Sequence, residues 1–179
     1  MANATYILIS SQVLGSSVAS VTFSSIPQTY TDLKLTFSAR LDIAGVGSSA
    51  LAYVYNGDNI GSGVNYDYTL LTGNGASVSS FSGGGNNGQT WIYYTDTAGD
   101  TANTFASGDI YIPYYANSSY KKQSFAVHCE ENNAASAHMS STAGIYNQTS
   151  PVTSIKVGNF GGGNLIAGSS FYLYGIKNS

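Results

Sequence analysis

Residues 24–40 read SSIPQTYTDLKLTFSAR, turn chemistry followed by a run in which apolar and polar side chains alternate. Leu33, Leu35, Phe37 and Ala39 fall on one side, and Asp32, Lys34, Thr36, Ser38 and Arg40 on the other. Successive Cβ atoms of extended backbone point to opposite sides, so this period of two marks a strand with one packed face. Pro27 stands just ahead of the run, where a missing N–H costs no ladder bond.

The same reading extends along the chain of 179 residues, with this strand expected over 32–42. Other strands are expected near 5–10, 18–24, 49–55, 65–72, 89–95, 105–112, 122–131, 137–146, 152–158 and 169–176. Gly, Asn and Ser clusters such as NGDNIGSG and GNFGGGN separate them, and Pro113 and Pro151 stand at strand ends. No stretch sustains a helical apolar period. Short strands with turn signals about every 8–12 residues indicate an all-β fold. Residues 77–90, SVSSFSGGGNNGQT, read as a long surface loop.

Alternation also assigns faces. Phe125, Val127 and Cys129 oppose Ser124, His128 and Glu130; Met139, Ser141, Ala143 and Ile145 oppose His138, Ser140, Thr142 and Tyr146. With the apolar sets packed inward, half-wet antiparallel sheets must cover each other, giving a two-layer antiparallel β-sandwich in one domain, 1–179. Cys129, in phase with Phe125 and Val127, is then expected to be a buried, inert thiol. The last strand, in GSSFYLYGIK, is apolar on both sides and therefore central in its sheet. Its second face is covered either by loops of the same chain or by another subunit.

Composition limits the function. Charged residues are 8% of the chain, against roughly 25% in an average soluble domain, so the surface is neutral and hydrogen-bonding. Of six cationic side chains only Lys121 and Lys122 are adjacent, too few for counterion release, and no nucleic-acid partner is expected. The N-terminal MANATYILISSQVL carries no cationic leader, and no segment reaches the ~18–20 apolar residues of a membrane span, so neither a secretory signal nor a membrane partner is expected. The lone cysteine excludes an internal disulfide.

Catalytic groups are sparse. His128 and His138 lie on the polar phase of their strands, read as hydrogen-bonded on a sheet surface, and no nucleophile-elbow sequence accompanies them. His128 and Cys129 point to opposite faces and cannot share a zinc ion; Glu130 and Glu131 diverge for the same reason. No enzyme is expected, a glycan depolymerase being the form considered. No cofactor is expected either. Calcium is the metal best supplied, through Asp96 and Asp100 around Gly99 or through Asn56, Asp58 and Asn59, although neither stretch has the spacing of a known calcium loop and plain turn residues account for both.

Aromatic residues are the richer signal: fifteen tyrosines against one tryptophan, many of them in runs. Tyrosine fills sheets, anchors interfaces and stacks on sugar rings, and all three uses stay open. The candidate interface or glycan contacts are Trp91, Tyr93, Tyr94, Tyr111, Tyr114, Tyr115, Tyr172 and Tyr174.

Three blocks in order carry a resemblance: SVTFSSIPQTYTDLKLTFSAR, then FASGDIYIPYYANSSYKKQSFAVHCEENNAA, then SPVTSIKVGNFGGGNLIAGSSFYLYGIK. Together the chain resembles small virion structural proteins of tailed bacteriophages, especially marine and aquatic phages. The resemblance implies a jelly-roll-like β-sandwich on the outer surface of a virion, made in the host cytoplasm, in stand-alone form. It carries no active-site residues. The expectation is a capsid decoration (cement) protein that binds the head lattice of major capsid protein as a symmetric oligomer, a homotrimer. The alternative is a tail-associated or receptor-binding module that recognises host surface glycans, with Trp91, Tyr93 and Tyr94 stacking on sugar and Asn86, Asn87 and Asp96 bonding hydroxyls.

Overall fold

The computed structural model describes residues 5–45, 49–62, 64–131 and 137–177, with only the backbone described at 49 and 84–87. Its strands are β1 (Tyr6–Val13), β2 (Ser20–Phe23), β3 (Asp32–Ala39), β4 (Ser49–Tyr55), β5 (Tyr66–Gly73) and β6 (Val78–Asn87). They continue with β7 (Thr90–Thr95), β8 (Ala106–Ile112), β9 (Lys122–Glu131), β10 (Ala137–Tyr146), β11 (Ile155–Asn159) and β12 (Ser170–Ile176). An eight-stranded sheet in the order β1-β12-β3-β8-β9-β10-β5-β6 packs on a four-stranded sheet in the order β2-β11-β4-β7. The fold is an all-β, two-layer antiparallel sandwich, and among the described residues no helix is long and apolar enough to cross a membrane.

Every expected strand is present, and β12 is central, between β1 and β3. Residues 77–90 correct the reading of a loop. Most of that stretch is β6, paired with β5 from Gly73↔Val78 through Leu70↔Phe81. Glycine and serine advertise no strand through their side chains, yet an edge strand needs only its neighbour's backbone ladder. Asn74 closes the preceding turn, its Oδ1 accepting from the backbone N–H of Ala76 (3.1 Å) and Ser77 (2.9 Å).

Register ties the sheet's faces together, because side chains on paired residues share a side. One row on the inner face runs Leu173–Leu35–Ile110–Ala126–Thr142–Leu70–Phe81. The neighbouring row on the outer face runs Tyr174–Lys34–Tyr111–Phe125–Ala143–Thr69–Ser82. Over β3, β8 and β12 the inner row is apolar, and Leu33, Leu35, Phe37, Ile110, Phe171 and Leu173 are buried against Val21, Phe23, Leu51, Ile155 and Val157 of the small sheet. Over β9 and β10 the row narrows to Ala126 and Thr142 before it reaches Leu70 and Phe81.

There the expected faces are reversed. In β9 the buried residues are Lys122, Ser124, Ala126, His128 and Glu130, while Phe125 and Cys129 are exposed. In β10 Ser140, Thr142, Gly144 and Tyr146 are buried and Met139, Ala143 and Ile145 are exposed. Cys129 is therefore an exposed thiol rather than a buried one. His128, too, is an interior residue, not a surface one. The cause is the closeness of the covering strand: β7 passes so near β10 that a Cβ on Gly144 would lie 2.6 Å from Thr90 Cγ2. Next to Thr90 only small side chains such as Ser124 and Gly144 fit, while His128 and Glu130 turn inward to polar partners further along.

Candidate functional site

The reversal leaves an apolar stripe on the outer face of the large sheet. Phe125 and Val127 of β9 lie beside Ala143 and Ser141 of β10, and Ser141 in turn beside Leu71 of β5. Phe125 is 50% exposed, Leu71 53% and Met139 60%. An open groove of about 560 Å³ runs over this face, its walls including Tyr111, Pro113, Gln123, Phe125, Ala143 and Ile145. Tyr111 is fixed at the rim: its hydroxyl donates to Asp32 Oδ2 (2.6 Å), and the Tyr114 backbone N–H donates to Asp32 Oδ1 (2.9 Å). That bond, then burial, pushes the Tyr111 hydroxyl up to about 12, so it remains a neutral donor. Lys34 and Asp109 form an ion pair of 3.0 Å on the same face.

A second aromatic group lies along β7. Trp91 stacks on Tyr68 (5.8 Å, 15°) and on Tyr93 (5.7 Å, 11°), Tyr93 meets Phe81, and Tyr94 stacks on His138 (4.5 Å, 13°). The strand carries a bulge, two residues (Tyr93 and Tyr94) opposite one of β4, and Tyr94 takes φ 62°. His128 holds the bulge by donating from Nε2 to the carbonyls of Tyr93 and Tyr94, the latter at 3.0 Å. Burial lowers the His128 pKa, against the raising effect of those two bonds, which keeps the ring neutral. These rings use their faces on one another.

Beyond the bulge lies a buried cluster of acids. Asp96, just past β7, and Asp100 are brought together with Glu130 of β9, their carboxylate oxygens within 4.8 Å of one another. The loop is tied down by Leu41 N–H to Asp96 O (2.9 Å), Ala98 N–H to Ile43 O (2.9 Å) and Thr97 N–H to Asp100 Oδ2 (2.7 Å). A side chain at Gly99 would collide with the backbone of Gly45. Glu130 Oε1 lies 2.6 Å from His138 Nδ1. Burial, reinforced by the charges of Asp100, Asp96 and Glu131, pushes the Glu130 carboxyl up to about 8. Arg40 donates to the carbonyls of Thr101, Thr104 and Asp100.

The aromatic candidates thus divide. Tyr111 and Tyr114 border the outer face, where Tyr172 and Tyr174 are half-buried on β12. Trp91, Tyr93 and Tyr94 belong to the ladder on the small sheet. Tyr115 is no contact residue: it is fully buried, and its hydroxyl donates to Pro27 O. Sheet filling accounts for Tyr53, Tyr55, Tyr66 and Tyr146 as well, which interlock in the interior. The side chains of Asn86 and Asn87 lie outside the described ones. Of the two calcium stretches, 96–100 becomes a cluster, while Asp58 accepts from the Tyr66 hydroxyl (2.9 Å) and Asn56 from Thr153 N–H (2.8 Å), as turn residues do. Glu130, Phe125, Val127, Met139 and Leu71 were not among the candidates. The small residues alternating with Phe125 and Ile145 are the signal that a close-packed strand lies over that side. No protein-family model matches this sequence, and no curated protein is significantly similar to it.

Proposed function

We propose that this chain is a structural adhesive module, a virion protein of the capsid decoration type with a jelly-roll-like winding, which assembles through the outer face of its large sheet. The observation that carries the reading is the outward apolar stripe of Phe125, Val127, Leu71, Met139 and Ile145 across three adjacent strands of the large sheet. Contiguous apolar surface of this kind marks an association site. The stripe bears no charge, so copies of the chain can meet there without Coulomb repulsion. The symmetric trimer and the head lattice come from the resemblance of the three sequence blocks. Several weak contacts per oligomer then act as one strong attachment.

Light scattering on the size-fractionated protein should give a multimer, and Phe125→Glu should return it to a monomer. Purified protein added to undecorated capsids should sediment with them, and the variant should stay in the supernatant. A wild-type monomer at high concentration, or adsorption to host cells or a glycan array with no binding to capsids, overturns this reading.

A further inference from the structure

Asp96 Oδ2 and Glu130 Oε2 are buried without a hydrogen-bond partner, in side chains whose residues are 1% and 4% exposed. Neither residue forms a close ion pair with a lysine or arginine among the described residues, where the ion pairs are Lys34–Asp109 and His138–Glu130, and the Arg40 charge that acts on Asp96 does not overcome its burial. A buried carboxylate oxygen is costly to leave unpaired. We infer that Asp96, Asp100 and Glu130 form a binding site for a divalent cation of the hard class, calcium.

The geometry fits. Oxygens bound to one calcium at about 2.3–2.6 Å lie at most roughly 5 Å apart, and every pair in this cluster meets that limit. The donors are all carboxylate oxygen. Cys129 is on the opposite face of β9, and among the described residues no histidine nitrogen joins the three carboxylates within 4.8 Å, so neither the thiolate nor the imidazole that would select zinc is in place. The His138 bond and the two Thr97 bonds to Asp100 orient the ligands from outside, as supporting groups do in metal sites. Three acids from a loop and a distant strand then share one counter-charge. The ion would clamp the β7–β8 connection to the end of β9.

The test uses the whole protein, stripped with EDTA and dialysed, then titrated with calcium chloride. Calorimetry should count one ion per chain, and Tm should rise by about 5–10 °C at a calcium concentration 100 times Kd. Glu130→Gln and Asp96→Asn should each lose most of that rise, and Glu130→Gln should melt in EDTA close to the stripped wild type at neutral pH, because its amide replaces a carboxyl that is already largely protonated there. A wild-type Tm indifferent to calcium, with no heat of binding, overturns the site, and that titration decides whether or not the variants fold. A full calcium response in Glu130→Gln overturns it too, as does a rise with zinc and none with calcium.

Discussion

The two halves of the sandwich solve one packing problem in opposite ways. Beneath β2, β11 and β4, the large sheet turns Leu33, Leu35, Phe37 and Leu173 inward and keeps Lys34 and Thr36 outside. Beneath β7, the same sheet turns Ser124, Thr142, His128 and Glu130 inward and leaves Phe125, Met139 and Ile145 outside. One continuous ladder joins the halves, so the side assigned to each residue of β9 and β10 follows from pairing with β8, not from hydrophobicity. The covering strand makes the difference. Close approach at Thr90 admits only Ser124 and Gly144 beside it, His128 and Glu130 turn in to meet polar partners, and the displaced apolar side chains become a surface.

The comparison breaks first in the apolar half. Leu35→Ala should cost about 2–5 kcal/mol in denaturant unfolding, since a fully buried side chain leaves a cavity. A cost under about 1 kcal/mol would mean that this half is not the closely packed one. His128→Ala, in the polar half, should cost about 1–3 kcal/mol by the same measurement, because two bulge carbonyls lose their donor. Thr142→Val should be neutral or stabilising by up to about 1 kcal/mol: its hydroxyl is buried with no partner among the described residues, and the methyl replaces it in the same volume. Smallest of all, Phe125→Ser should leave monomer stability within about 0.5 kcal/mol while abolishing assembly, a split that a core residue could not give. A thiol reagent sharpens the point. Cys129, three strands from the edge and on the same outer face, should react in the free protein and be protected in the assembled one.

The strands were legible because alternation is local, and the two-layer sandwich followed from it. Which face turns inward is decided elsewhere. In TDLKLTFSAR hydrophobicity and burial agree, so the reading of β3 was correct; in KQSFAVHCEE they disagree, and the one hint within the strand that β7 lies close above it is the small size of Ser124 and Ala126. β6 was hidden because its ladder is made by backbone groups, to which serine and glycine side chains add little. The acid cluster was half legible. Asp96 and Asp100 are four residues apart in one loop, but Glu130 arrives through the β8–β9 pairing, a relation at long range. Tyr115 was misplaced for a similar reason, its neighbours Tyr111 and Tyr114 facing outward while the chain turns it under Pro27.

β1 and β12 lie side by side at the edge of the large sheet, with Tyr6 opposite Ile176 and the Lys177 N–H donating to Thr5 O. Tension applied between Thr5 and Lys177 would therefore not shear a whole ladder at once; it would open that pair rung by rung from one corner, each rung carrying the load alone. Tethered by those two points, the slab is mechanically soft.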